Sequence, residues 1–242
     1  MTSIRNLLAP VLAVSIAIAF FSCNSSEEKK DEKKEEVKEE KKPEEPVVAA
    51  FTPFKIIMVR HTVADFDKWK AGYMAHDSMR QAYGISHYVI GRGLDNPNWV
   101  VVVDKVADVQ KAKDFSILPG LKDAMKKAGV TGKPEFSYAE VIRNDDTKID
   151  QKERVMVAHH VKDFDTWIKA YDAEGKAKRM ENGLLDRGMA RGTEDPNMVY
   201  IVFAITDMAK AKARVNSPDL KKIMTDAGVD GPPKITYYKL VD

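Results

Sequence analysis

Thiols are nearly absent from this 242-residue chain, in which Cys23 is the single cysteine. A disulfide framework or a cysteine-based zinc cluster needs several thiols, so both are excluded. Charge of one sign is lacking too: 39 basic against 37 acidic side chains leave a formal net charge of +2. Bulk electrostatics therefore calls for no nucleic acid and no anionic surface. There is no G-x-S-x-G elbow, no helical pair of histidines four residues apart and no dense carboxylate cluster. A hydrolase-type nucleophile is thus without support, and neither a metal nor another cofactor is expected. Gly91-Arg92-Gly93 and Arg191-Gly192 precede turn residues rather than a helix, which excludes a phosphate loop.

Residues 1–23 begin with Arg5, continue as an apolar run from Leu7 to Phe21 and close with Ser22-Cys23. A run of about 15 residues is too short to span a bilayer of about 30 Å, and the pattern is that of a signal sequence. Ser22-Cys23 resembles the lipobox of bacterial lipoproteins, in which the cysteine becomes the lipidated first residue. Phe20 and Phe21 depart from its commoner Leu and small-residue pattern. The resemblance implies lipidation at Cys23, a membrane reached through an N-terminal lipid anchor, and residence in the bacterial cell envelope, at a periplasmic or surface face of the outer membrane. A cleaved secretory signal with an incidental cysteine would keep the export and lose the anchor. Residues 24–50 follow as a charged, disordered linker: 17 of the 20 positions from Glu27 to Pro46 are charged, leaving nothing to bury.

The rest of the chain contains itself twice. His-Thr-Val-Ala-Asp-Phe-Asp-Lys-Trp at 61–69 returns as His-His-Val-Lys-Asp-Phe-Asp-Thr-Trp at 159–167. Arg92-Gly93, Pro97-Asn98 and Ala128-Gly129-Val130 return as Arg191-Gly192, Pro196-Asn197 and Ala227-Gly228-Val229, one residue further on. An insertion therefore lies between Tyr73 and Gly84, and the repeats run over 51–146 and 147–242.

Periodicity reads each copy. Ile56–Val63 and Val155–Val161 are buried strands. Asp65 and Asp163 cap amphipathic helices carrying Phe66, Trp69, Tyr73 and Phe164, Trp167, Tyr171, which end near Gly84 and Gly183. A hairpin turning at 95–98 or 194–197 follows, then a helical region stopping at Gly129 or Gly228, then a last strand after Pro134 or Pro233. The order is βαββαβ twice, a ferredoxin-like α+β fold. Both parities of the first strand are apolar (Ile57 and Val59, Ile56 and Met58), so the face away from the helices must also be covered. The second copy supplies that cover. Two tandem repeats would form an intramolecular, pseudo-dimeric α/β barrel, expected to be a monomer with internal pseudo-twofold symmetry.

His61, Asp65-Phe66, Trp69, Arg80, Gly84, Asp95-Asn96-Pro97-Asn98, Leu121, Met125, Ala128-Gly129-Val130 and Pro134 together resemble bacterial proteins of the dimeric α/β barrel superfamily, grouped with antibiotic-biosynthesis-monooxygenase-like proteins. The resemblance covers both copies. It implies the fold, and it leaves activity open because relatives include cofactor-independent oxygenases, haem-degrading enzymes and polyketide-shaping proteins.

His61 and His159 end equivalent strands. Facing the barrel interior, they would form a pair of imidazoles able to act as general base or to bond a ligand. Otherwise each is a structural ring bonding Asp65, Asp163 or a backbone group. Tyr73 and Tyr171 lie on the apolar helix face beside the core anchors Trp69 and Trp167. Arg80 and Arg179 suit the helix C-terminus or, turned inward, would hold a carboxylate or enolate. These six residues are the ligand-binding candidates, and no catalytic set is identifiable. The preferred reading is a lipid-anchored envelope protein binding a small, partly apolar molecule, with a cofactor-independent monooxygenase-like enzyme and a scaffold with a packed barrel as alternatives. The first copy, with His61, His76, His87 and Arg80, is the expected site. Replacing Cys23 with Ala is expected to abolish membrane fractionation in the native host, and unchanged partition would remove the lipid anchor.

Overall fold

Barrel closure follows from one edge of each repeat meeting an edge of the other. The computed structural model describes residues 51–241; the signal segment, Cys23 and the linker lie outside them. The first repeat contributes β1 (Phe54–Val63), β2 (Ile85–Gly93), β3 (Trp99–Val106) and β4 (Val130–Asn144). The second contributes β5 (Glu153–Val161), β6 (Leu184–Gly192), β7 (Met198–Ile205) and β8 (Val229–Leu240). They form one closed antiparallel barrel in the order β1-β3-β2-β8-β5-β7-β6-β4. Its two seams are unequal. Gly91–Gly93 of β2 pairs with Tyr238–Leu240 of β8, whereas β4 pairs with β6 along Ala139–Asn144 and Gly188–Gly192.

Helices cover the outside of each half. They are α1 (Phe66–Ala75), α2 (Asp77–Ala82), α3 (Val109–Ser116) and α4 (Pro119–Lys127), then α5 (Phe164–Glu181), α6 (Met208–Val215) and α7 (Pro218–Asp226). The expected caps form: Asp65 accepts from the Lys68 N–H at 2.7 Å and Asp163 from that of Thr166 at 2.8 Å. The inserted residue falls at Gly175, whose φ of 79° kinks α5 where the first repeat instead breaks at His76. Two expectations are corrected. The later helical region is two helices in each copy, because Pro119 and Pro218 stand in first turns and start new ones. The last strands begin at Val130 and Val229, before rather than after Pro134 and Pro233.

Alternation along β1 and β5 separates the layers. Ile57, Val59, Val63 and Trp69 pack under the first helical layer, as Val155, Val157, Val161 and Trp167 do under the second. Ile56, Met58, Met156 and Ala158 point the other way, into the barrel with Val101, Tyr200 and Tyr238. The interior is not filled: it holds a cavity of about 260 Å3.

Gly91 sits against Tyr238 across the shorter seam, and a Cβ there would lie 2.3 Å from the ring and 2.8 Å from Val101 Cγ1. The counterpart pair is Ala190 and Ala139, two small residues in place of none and a ring. Gly91→Ala should therefore destabilise the protein by about 1–3 kcal/mol through overpacking. In a Tyr238→Ala background that loss should shrink, as measured by urea unfolding, and an unchanged loss would mean that ring and glycine are independent.

Candidate functional site

Each first strand delivers its histidine at an irregularity. Arg60 pairs with Glu135 and Thr62 with Thr131, so Gly132-Lys133-Pro134 stands opposite His61 alone. Gly231-Pro232-Pro233 bulges likewise opposite His159. A proline lacks the N–H that a ladder requires, and such bulges re-aim side chains beside sites.

His61 follows the parity of Ile57 and Val59, and its ring packs against Trp69 at a centroid distance of 5.3 Å. His159 packs against Trp167 at 5.4 Å. The imidazoles therefore lie under the helices of their own repeats, which corrects the expectation of a pair inside the barrel. Neither ring bonds Asp65, Asp163 or a backbone group among the described residues, so the structural alternative is not seen either. Nδ1 and Nε2 of both rings are buried and have no hydrogen-bond partner among the described residues. Desolvation pushes each pKa down to about 4, so both rings are neutral at pH 7.

The six candidates separate into two constellations, one per repeat. His61, Tyr73 and Arg80 line an apolar cavity of about 70 Å3 with Trp69, Phe115 and Met125. His159, Tyr171 and Arg179 line one of about 80 Å3 with Trp167, Leu220 and Met224. Both guanidiniums are buried and stack on their tyrosines, at 3.7 Å for Arg80 and 4.0 Å for Arg179. Both also donate to the tyrosine carbonyl, Arg80 at 2.6 Å and Arg179 at 2.8 Å.

The remaining polar partners differ. Arg179 forms a fork with Asp186, both contacts at 2.8 Å, and lies 3.5 Å from Glu174. Glu174 also accepts from Arg214, which reaches Asp219 at 2.9 Å. The first repeat has His87 and Phe115 where the second has Asp186 and Arg214, and its buried acid is Asp104, where the second has Phe203. Asp104 accepts from the Tyr73 hydroxyl at 2.6 Å, with His87 Nδ1 3.0 Å from the same oxygen. Burial, then the Asp104 charge, raises the Tyr73 pKa. Arg80 is left with the half-exposed Asp77 at 3.0 Å, and its Nε is buried without a partner.

Sequence reading missed Asp104, Glu174, Asp186 and Arg214. Their signal was the opposed change of residue type at positions 87 and 104 against 186 and 203. His76 and His160 act locally, the first 2.7 Å from the Gly72 carbonyl and the second between Asp195 and Asp230. No cluster of metal-ligating side chains occurs among the described residues.

No protein family matches the sequence, and no curated protein does. Solved structures do match. An anthrone oxidase-like protein superposes with a TM-score of 0.51 at 14% identity, over 78% of this chain and 92% of that one. A protein from Fusobacterium nucleatum subsp. nucleatum described as a monooxygenase gives 0.50 at 12%, over 78% and 93%. One so described from Lactobacillus acidophilus gives 0.46 at 16%, over 78% and 94%. At these identities the likeness is one of fold: a dimeric α/β barrel with both halves in one chain.

The depressed imidazole pKa values fix the sign of a pH effect. Between about 6.5 and about 4 the unfolded chain takes up protons that the folded rings refuse, so stability falls as pH falls through that window. The loss is on the order of 3 kcal/mol per ring. His61→Leu should leave stability at pH 7 equal or higher and flatten the profile from pH 6.5 to 5, measured by denaturant unfolding. An unchanged slope would mean that the ring titrates normally.

Proposed function

We propose that this chain binds a small, partly apolar molecule bearing a hydroxyl or carbonyl oxygen, chiefly in the first repeat, and that a lipid on Cys23 holds it at a bacterial cell envelope. One observation carries the binding: the His61 nitrogens and Arg80 Nε are buried beside an apolar cavity without partners among the described residues. A neutral imidazole offers one donor and one acceptor, and Arg80 Nε adds a charged donor. Leaving such groups unpaired costs about 1–3 kcal/mol each, which a ligand oxygen would offset. In the second repeat Arg179 spends its donors on Asp186 and Tyr171, so His159 alone remains.

Ser22-Cys23 and the charged linker support the anchor. Among the described residues no helix is long and apolar enough to cross a membrane. Closure of both seams within one chain supports a monomer, because the described strands leave no edge for a second copy.

A second reading, a cofactor-independent monooxygenase-like enzyme, has one observation in its favour. The neutral ring at His61 has an acceptor nitrogen with which to take a proton from a phenol or enol, and of the matching structures one carries a monooxygenase name and another an oxidase-like one. Oxygen consumption that depends on His61 and on the bound phenol would select it over binding alone.

The full chain with Cys23→Ser and 1-naphthol as ligand tests the site. Thermal stability should rise with 1-naphthol, and His61→Ala or Arg80→Gln should weaken binding by about tenfold or more, roughly one charged or buried hydrogen bond. His159→Ala should weaken it less than about threefold, the same hydrogen bond being unmade at the lesser site. Trp69→Ala should chiefly destabilise, by about 3–5 kcal/mol. Equal losses at His61 and His159 would mean two equivalent sites, and no loss at either would remove the proposal.

A further inference from the structure

Among the described residues, a cavity larger than either histidine pocket belongs to neither histidine. It lies within the barrel, has a volume of about 260 Å3, and is walled by Met58, Met156, Tyr200, Val202, Tyr238 and Leu240. One charged side chain is buried in its wall. Arg154 is 6% exposed, and it hydrogen-bonds backbone: Nη1 donates to the carbonyls of Gln151 at 2.6 Å and Glu153 at 3.0 Å. Among the described residues no carboxylate pairs with it.

Packing does not explain this cation. Its counterpart in the first repeat is Ile56, which fills the same position with hydrocarbon. Directly across the ladder from Arg154 stands Tyr238, whose counterpart is Ala139. Tyr238 is 5% exposed, and the glycine at 91 makes room for its ring. The second repeat has thus gained a buried guanidinium and a phenol side by side, on adjacent strands, facing into an apolar chamber.

Two of the other charges at the mouth are committed elsewhere. Arg187 donates to the Thr147 carbonyl at 2.8 Å and lies 3.5 Å from Asp145, whose carboxylate also accepts from the Thr147 N–H. Asp146 lines the mouth as well and makes no ion pair with Arg154. Desolvation lowers the Arg154 pKa against the opposing effect of the adjacent Tyr238, and Arg187 lowers it as a like charge. A buried cation that keeps its charge needs a counter-ion, and the described residues do not provide one.

We propose that the barrel interior is a second binding site, for a small monocarboxylate with an apolar body, whose carboxylate pairs with Arg154 and accepts from the Tyr238 hydroxyl. Arginine suits this role because its planar fork matches a carboxylate in a bidentate pair. The methionine, valine and leucine side chains take the hydrocarbon, and methionine adapts to different shapes of it. This site is separate from the helix-side pockets and stands whether or not they bind a phenol.

Octanoate binding to the full chain carrying Cys23→Ser, followed by calorimetry and thermal unfolding, tests it. Octanoate should bind one to one and raise the unfolding temperature, and 1-octanol should bind at least about tenfold more weakly, since it cannot pair with the cation. Arg154→Met should abolish the octanoate shift while leaving the ligand-free unfolding temperature equal or higher. Arg154→Lys should retain weakened binding, and saturating 1-naphthol should not displace octanoate. Failure of octanoate to bind, binding to Arg154→Met within about threefold of the parent, or displacement by 1-naphthol would each overturn the proposal. Should Arg154→Met not fold, Val202→Trp, which fills the chamber and keeps the cation, must eliminate the shift; its persistence would overturn the proposal equally.

Discussion

A four-stranded sheet that buries one face under helices and is apolar on the other cannot stand alone in water, and this constraint organises the molecule. Ile56 and Met58 on one side of β1, Ile57 and Val59 on the other, leave neither face free. Duplication meets the requirement within the chain. β2 joins β8 and β4 joins β6, and the two inner faces close on each other. Fused halves need not remain identical, and the interior has used that freedom: glycine and tyrosine at one seam answer two alanines at the other, and arginine replaces isoleucine near one mouth.

Polar groups in the helical layers obey a second constraint, that buried charge must be neutralised. The second repeat neutralises Arg179 and Arg214 with Asp186, Glu174 and Asp219. The first keeps Arg80 but moves its buried carboxylate to Asp104, where the Tyr73 hydroxyl takes it up. In both repeats the histidine at the bulge stays unpaired. A group kept unsatisfied twice, while its surroundings were exchanged, is poorly explained by packing and well explained by a partner that arrives from outside.

Most of the architecture was legible because the repeat doubled every signal. Asp65 and Asp163 read as caps, Gly129 and Gly228 as helix stops, and Trp69 and Trp167 as core anchors, each on two independent occurrences. The orientation of His61 was not legible. With both parities of 56–63 apolar, alternation says that two faces are buried without saying which is the barrel, and only the ring of Trp69 against His61 decides it. His61, Tyr73 and Arg80 could be selected by residue type, yet that they share one pocket depends on helix rotation. Arg154 gave no signal at all: a single cation at the start of an apolar strand reads as a surface residue, and its burial follows from closure across β5 and β8.

Unpaired, neutral imidazoles poised for a ligand are the centre of this interpretation, and nitrogen chemical shifts report them directly. In histidine-labelled protein titrated from pH 7.5 to 4, His61 and His159 should remain neutral to near pH 4, and one His61 nitrogen should shift when 1-naphthol is added. Titration of both rings near the ordinary value of 6.5, with no nitrogen responding to the phenol, would contradict it.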